Sequence, residues 1–114
     1  MNKVSEIKII RKKEAKSWYD DDELCHLYRE DQVMLFGTSY IEPGKAGGVD
    51  PGHNRGKEVF YCAIGKIIVE FSKEKIELNA GDAVIIPLNE PHKLINKFDR
   101  PTLIVWSLAP PDKK

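Results

Sequence analysis

The sequence has few cysteines, no excess of charge and no long apolar run, and each shortage excludes a class of protein. Its 18 basic and 18 acidic side chains give a formal net charge of zero, so the basic excess typical of nucleic-acid-binding proteins is missing. The longest apolar runs, such as Ala83–Ile86, are far shorter than the ~20 residues of a membrane helix. We therefore expect no nucleic-acid partner and no membrane partner.

The two cysteines, Cys25 and Cys62, are too few for a disulfide framework in a chain of 114 residues. They indicate free thiols in a reducing compartment. The first twenty residues are charged throughout and contain no apolar segment of the kind that a signal peptide needs. These observations together predict a cytoplasmic protein.

Glycine and proline, with 8 and 7 residues, divide the chain at short intervals. The segments between them are rich in valine, isoleucine, phenylalanine and tyrosine, a pattern typical of an all-β sandwich or barrel. At this length one domain over residues 1–114 is expected. The predicted strands cover residues 6–11, 32–41, 58–64, 66–71, 75–78, 83–87, 92–98 and 102–108. A short helix is predicted only for residues 12–19. The acidic run from Asp20 to Glu23 is interpreted as a solvated turn, and Cys25 and His26 are assigned to a surface loop. Residues 110–114 are expected to form a frayed end.

The alternation of side chains along two of these strands places polar groups on apolar faces. Glu58 shares a face with Phe60 and Cys62 because successive side chains in a strand point to opposite sides. His92 and Asn96 share a face opposite the lysines of the same strand, which must reach solvent. A carboxylate on a core face needs a partner, since desolvating its charge costs several kcal/mol. The alternative is a glutamate at the end of its strand that reaches water.

His53, Glu58 and His92 together form a plausible ligand set for a divalent metal ion. Each residue alone is weak evidence, because a single histidine in a β protein is more often a surface or hydrogen-bonded residue. Two imidazoles and one carboxylate, however, suit a first-row metal and leave positions open for water or substrate.

Two segments in the expected order resemble the two motifs of the cupin superfamily. Residues 53–65 resemble the first, H-x-H, three or four residues, E, six residues, G, with His53, Glu58 and Gly65 on its places. Residues 81–96 resemble the second, G, five residues, P-x-G, two residues, H, three residues, N. The matching residues are Gly81, Pro87, His92 and Asn96, and Asn89 stands where glycine is usual. The resemblance implies a double-stranded β-helix, the cupin-type jelly-roll barrel, with a motif-bearing core over about residues 32–108.

The first motif departs from the family at one ligand position. Pro51 stands where the family has its first histidine, and proline cannot bind a metal. Asp50 could serve only if Pro51 and Gly52 form a bulge, because it lies one residue out of register. The resemblance therefore carries over three ligands, His53, Glu58 and His92, and implies a divalent iron, manganese, zinc or nickel ion.

The resemblance leaves two functions open. The first is a metal-dependent enzyme of the dioxygenase, isomerase or lyase type that acts on a small organic molecule. The second is a module that binds a sugar or another metabolite without metal and without chemistry. Tyr40, Phe60, Asn96 and Trp106 are the predicted substrate-binding residues, because aromatic walls with a few polar groups are typical of small-molecule pockets. The resemblance to small cupins also implies a homodimer, in which residues 6–11 could add a strand to the sheet edge of the partner.

Overall fold

A computed structural model describes residues 7–113, which form nine strands and one short 3-10 turn at Lys12–Glu14. The strands are β1 (Lys16–Asp20), β2 (Glu23–Glu30), β3 (Leu35–Ile41), β4 (Lys57–Ile64), β5 (Lys66–Phe71), β6 (Lys75–Asn79), β7 (Ala83–Ile86), β8 (His92–Ile95) and β9 (Thr102–Ala109). One sheet has the order β1-β2-β3-β9-β4-β7 and the other β6-β5-β8. The predicted all-β jelly-roll architecture is confirmed.

The core lies between the two sheets and is built from the inward side chains of alternating positions. Along β4, Glu58, Phe60 and Cys62 are buried, and their neighbours are more exposed. The apolar core cluster consists of Ile41, Phe60, Cys62, Ile67, Val69, Leu78, Ile86, Leu94 and Ile104. Fully burying one such aliphatic side chain contributes about 1.5–3 kcal/mol, so this cluster is the main source of stability. Cys62 is fully buried in this cluster.

The connection between β3 and β4 runs beside β8 and brings Asp50 opposite His92. The amide of Gly47 donates to the carbonyl of Leu94 at 2.9 Å. Asp50 and His92 exchange two backbone hydrogen bonds, at 2.8 and 2.9 Å. This connection thus extends the three-stranded sheet beyond β8 through bridges at Ala46 and Asp50.

Several sequence-based predictions near the N-terminus are corrected. Residues 7–11 form no strand, and Glu6 lies outside the described residues. Residues 12–19 contain only the 3-10 turn and most of β1. The segment containing Cys25 belongs to β2, where Cys25 is 5% exposed, so its assignment to a surface loop was wrong. β1 was missed because all five of its residues are exposed, which leaves no alternation to detect.

Within residues 7–113, no helix is both long and apolar enough to cross a bilayer.

Candidate metal centre

Four side chains that are far apart in sequence converge at one end of the barrel interior. Asp50 and His53 come from the β3–β4 connection, Glu58 from β4 and His92 from β8. One ligand atom from each residue lies within 4.8 Å of the others. We call these four residues the His–acid cluster.

The closest atoms in the His–acid cluster are the Nε2 nitrogens of the histidines and one oxygen from each acid. Glu58 Oε1 lies 3.1 Å from Nε2 of His92 and 3.3 Å from Nε2 of His53. Asp50 Oδ2 lies 3.6 Å and 3.5 Å from the same two nitrogens. These separations leave a common centre from which four donors at about 2.0–2.2 Å could reach one ion.

Both imidazole rings are oriented by hydrogen bonds at the nitrogen that faces away from this centre. Nδ1 of His92 lies 2.9 Å from the carbonyl oxygen of Glu90, and Nδ1 of His53 lies 2.9 Å from Asp112 Oδ2. Carbonyl and carboxylate oxygens only accept, so each Nδ1 carries the proton and donates it. In the neutral rings Nε2 is then an unprotonated ligand atom aimed at the centre, as in histidine metal sites.

Burial of these ligand atoms tests whether the residues fit a metal ion. Glu58 is 6% exposed and His92 is 3% exposed. Nε2 of both histidines and Oε1 of Glu58 are buried and have no hydrogen-bond partner. Native proteins rarely leave buried polar atoms unpaired, and three at one point call for an explanation. A cation at the centre would satisfy all three, so the donor set fits a divalent metal.

The close acids also perturb the protonation of the rings in the metal-free protein. Contact with Asp50 and then with Glu58 raises the pKa of His53 to about 11. Burial by itself lowers the pKa of His92, but Glu58 and the Glu90 carbonyl raise it overall. Burial likewise works against ionisation of Glu58, yet the two histidines lower its pKa. Without a metal, the nearby acids therefore favour the protonated rings, and a metal must displace protons to bind.

Asp50 fills the place that the sequence left uncertain. The sequence predicts that Asp50 reaches the site only if the backbone departs from a regular strand at Pro51 and Gly52. The backbone does turn there, because Gly52 adopts a left-handed φ of +99°. The Gly52 amide donates to Asp50 Oδ1 at 2.8 Å, which leaves Oδ2 to face the histidines. A Cβ on Gly52 would lie 2.8 Å from the backbone nitrogen of Glu90, so only glycine fits this turn.

A cavity of about 330 Å³ opens beside the His–acid cluster. Phe60 and Trp106, two of the predicted substrate-binding residues, line it together with Leu27 and Leu94. Phe60 packs edge-on against His92 with 5.4 Å between ring centres. The cavity thus has apolar walls with the polar cluster at one end, the usual composition of a small-molecule pocket.

The other two predicted substrate-binding residues are placed elsewhere. Tyr40 lies on the outer face of β3, because its neighbours Ser39 and Ile41 are the fully buried residues. Asn96 is fully buried, but its Nδ2 donates to the carbonyls of Ile41 and Arg100 and its Oδ1 accepts from the Phe98 amide. All its bonds are made to backbone, so Asn96 holds a loop and leaves no group free for substrate.

Sequence reasoning missed Glu23, a half-buried acid in the cavity. Glu23 lines the cavity and accepts a short hydrogen bond from Ser39, whose hydroxyl in turn accepts from Trp106 Nε1 at 2.9 Å. Burial raises the pKa of Glu23. Its place after three aspartates made it look like part of a solvated turn. One sequence signal could have revealed it: Glu23, Cys25 and Leu27 are spaced two residues apart, so in a strand they lie on the same face.

The comparison with known families agrees with this geometry. Residues 37–108 match the family model described as the cupin domain. The chain belongs to the cupin domain family. The matched range includes every residue of the His–acid cluster and both motifs quoted above.

Individual known proteins are similar to this chain in part of the sequence or in the fold. An uncharacterized protein of Methanocaldococcus jannaschii, MJ1618, is 32% identical over 59 residues, which are 52% of this chain and 47% of that protein, so the match spans about half of each. A double-stranded β-helix protein from Klebsiella pneumoniae superposes with a TM-score of 0.79 at 18% identity, over 96% of this chain and 95% of that one. KdgF from Halomonas sp. superposes with a TM-score of 0.74 at 18% identity, over 90% and 94%.

Proposed function

We propose that the protein is a metal-dependent enzyme that converts a small organic molecule bound beside the His–acid cluster. The observation that carries the proposal is the group of three buried, unpaired ligand atoms that converge with Asp50 at the end of the cavity. A bound iron, manganese, zinc or nickel ion would polarise a substrate oxygen or activate water or dioxygen. Reactions of the dioxygenase, isomerase or lyase type are the ones proposed, by analogy with the family.

The residues of the chain would divide the work between binding and proton transfer. Phe60 and Trp106 hold the apolar part of the molecule and exclude water from the cavity. Glu23, whose pKa is raised by burial, keeps its proton at higher pH than an ordinary carboxyl group and is the proposed proton donor. Ser39 fixes the orientation of the Glu23 carboxyl and is itself held by Trp106.

The charges around the cavity favour a neutral or cationic substrate. Asp20, Glu23 and Glu30 line it in addition to Asp50, His53 and His92 of the His–acid cluster, and arginine is absent from the lining within residues 7–113. Lys93 is the basic residue of that lining besides the two histidines. A divalent ion would be balanced by the two acids of the cluster, so a substrate with two carboxylates would meet uncompensated negative charge. A sugar, polyol or amine fits this field better.

Elemental analysis of protein purified without chelator tests the proposal. The wild-type protein is expected to carry a first-row metal at about one ion per chain, and His92→Ala is expected to lose it. His26→Ala is the matched control, because His26 lies on β2 outside the cluster and should leave the metal content unchanged. Metal that stays in the His92→Ala variant would contradict the assignment.

The same samples separate the enzyme from the alternative, a module that binds a sugar or another metabolite without metal. No metal in either protein, together with an organic ligand that co-purifies with the wild type, would support that alternative. If metal is present, a thermal-shift screen of metabolites narrows the substrate, since a ligand at a hundredfold its Kd adds about 2.7 kcal/mol.

A homodimer and a cytoplasmic location remain part of this proposal. The outer face of the six-stranded sheet exposes large apolar side chains, including Tyr61 at 44%, Ile64 at 58% and Ile85 at 64%. A second copy that packs on this face would bury them. The two cysteines are free and buried, which suits a reducing compartment. Light scattering on the purified protein would give the mass of the assembly directly, and a monomer would contradict the dimer.

A further inference from the structure

The C-terminal tail, which the sequence suggested to be frayed, is folded back onto the His–acid cluster. Asp112 uses both carboxylate oxygens there. Its Oδ2 accepts from Nδ1 of His53 at 2.9 Å, and its Oδ1 accepts from the backbone amide of Asn54 at 3.0 Å. The expectation of a frayed end is therefore wrong for this residue.

The two histidines of the cluster differ in what orients them. His92 donates to a carbonyl two residues away in its own turn, so its orientation is fixed locally. His53 donates to a carboxylate 59 residues away, at the other end of the chain. The direction of the His53 ring therefore depends on whether the tail is in place.

The tail is seated closely enough to hold that position. A Cβ added to Gly56 would lie 1.9 Å from the carbonyl oxygen of Pro110, so the absence of a side chain there lets the tail approach the start of β4. Leu108, just before the tail, is 1% exposed and anchors the end of β9 in the core. The side chain of Asp112 itself is 38% exposed and that of His53 is 17% exposed.

We propose that Asp112 is a positioning residue of the metal site, and that ordering of the C-terminal tail and metal binding at the His–acid cluster stabilise each other. A carboxylate behind a ligating imidazole fixes the tautomer and ring angle and makes Nε2 a better donor, and loss of such a partner typically lowers metal affinity 10–100-fold. The coupling is reciprocal, so a bound metal holds the tail by the same factor. The inference rests on the proposed metal site.

Zn²⁺ is the probe for the test, because it is redox-silent and binds nitrogen and oxygen ligands near the top of the divalent series. Its affinity is measured by competition with a chromophoric chelator for the full-length wild-type protein and three variants. Asp112→Ala is expected to bind about 10–100-fold more weakly. Asp112→Asn keeps an accepting oxygen for only one of the two donors and should lie between. Asp99→Asn, an exposed aspartate in the β8–β9 connection, is the matched control and should bind as the wild type does.

Two further measurements distinguish positioning from a general loss of structure. In the Zn²⁺-loaded wild type, the Nδ1 proton of His53 should be visible by NMR and protected from exchange, and Asp112→Ala should lose it while the far-ultraviolet circular dichroism stays unchanged. Hydrogen exchange at the Asn54 amide should slow on adding Zn²⁺ to the wild type but not to Asp112→Ala.

The outcomes separate this inference from the proposal on which it rests. If the wild type binds Zn²⁺ and Asp112→Ala binds it equally well, the tail has no positioning role and the metal site stands. If the wild type binds no Zn²⁺, the proposed metal site and this inference fall together. Equal loss of affinity and of folded structure in both Asp112 variants would also overturn the positioning role.

Discussion

Replacing Asp50 by asparagine tests whether the site has three ligands or four. The cupin motifs gave only His53, Glu58 and His92 as candidate ligands, whereas the structure places Asp50 Oδ2 3.5–3.6 Å from Nε2 of both histidines. Asp50→Asn keeps the shape and removes the charge, but its single carbonyl oxygen takes over only one of the two positions, the one at the Gly52 amide or the one at the metal. The variant should therefore weaken metal binding without unfolding the loop.

The magnitude follows from the charge and the exposure of Asp50. A carboxylate about 2.1 Å from a divalent ion gains about 4 kcal/mol even at the dielectric constant of water. The water value is a lower limit for the attraction, and the cost of desolvating the 37% exposed Asp50 side chain offsets the stronger attraction at a lower dielectric constant. An asparagine oxygen retains part of this as a neutral ligand, so we expect a loss of about 2–4 kcal/mol. That loss corresponds to roughly 30- to 1000-fold in Kd, since each 1.4 kcal/mol is tenfold.

Competition titration with Zn²⁺ measures the change, and Asp99→Asn again serves as the control for an aspartate outside the cluster. Circular dichroism and chemical denaturation of the same samples establish that the variant is folded. A Kd within about threefold of the wild type would refute the reasoning. It would mean that the three ligands read from the motifs suffice and that Asp50 is a neighbour without a role in binding.

Three further predictions concern stability. With metal removed, the pKa of His53 is raised to about 11 from its ordinary value of 6.5. The stabilising contribution of the protonated ring is therefore complete below pH 6.5 and is lost as pH rises toward 11. Denaturation at pH 7, 8.5 and 10 should show a falling free energy of unfolding, and His53→Gln should make this free energy depend less on pH. Asn96→Ala should lower the free energy of unfolding by about 2–4 kcal/mol, because the substitution leaves two backbone carbonyls and one amide without their hydrogen-bond partner. The Zn²⁺ affinity of the folded variant should stay unchanged. An unfolding midpoint equal to that of the wild type would contradict this prediction. Gly52→Ala should lower the free energy of unfolding by about 1–3 kcal/mol through strain at its positive φ, and it should weaken Zn²⁺ binding as well. Gly44→Ala is the control, because Gly44 also has a positive φ but a Cβ there would meet no atom within 4 Å. A comparison of the two variants separates backbone strain from the steric clash with the backbone of Glu90.

Much of the fold was predictable because strand periodicity and turn residues are local signals. The strands from β4 to β7 were predicted to within one residue at each end, since a buried face alternates with an exposed one and glycine or proline marks the turns. β1 and β2 were missed. In β1 no residue is buried, and in β2 a bulge between Leu27 and Arg29 interrupts the alternation. A local signal of this kind therefore identifies strands with one buried and one exposed face, and it misses strands that lack this regular alternation.

The candidate site shows the same division. Alternation alone predicted that Glu58 and His92 face the interior, and both are buried. It also placed Tyr40 toward the cavity, which was wrong, because the inward face of β3 is the one that carries Gly37, Ser39 and Ile41. Nothing local distinguishes the two faces of that strand, since both contain apolar and polar residues. The pairing of β3 with β2 and β9 decides which face is covered.

The sequence by itself determined the fold family, the order of the strands that carry the two motifs, and the three residues His53, Glu58 and His92 as candidate ligands. Only the tertiary structure decided that Asp50 joins them, that Glu23 enters the cavity and that Asp112 supports His53. The physical reason is that backbone turns and contacts between strands, which the alternation of side chains does not encode, place these three acids. Each of these three acids reaches the site through a turn or a contact across the barrel, and Asp112 does so across 59 residues. Such contacts exist only once the sheets have packed.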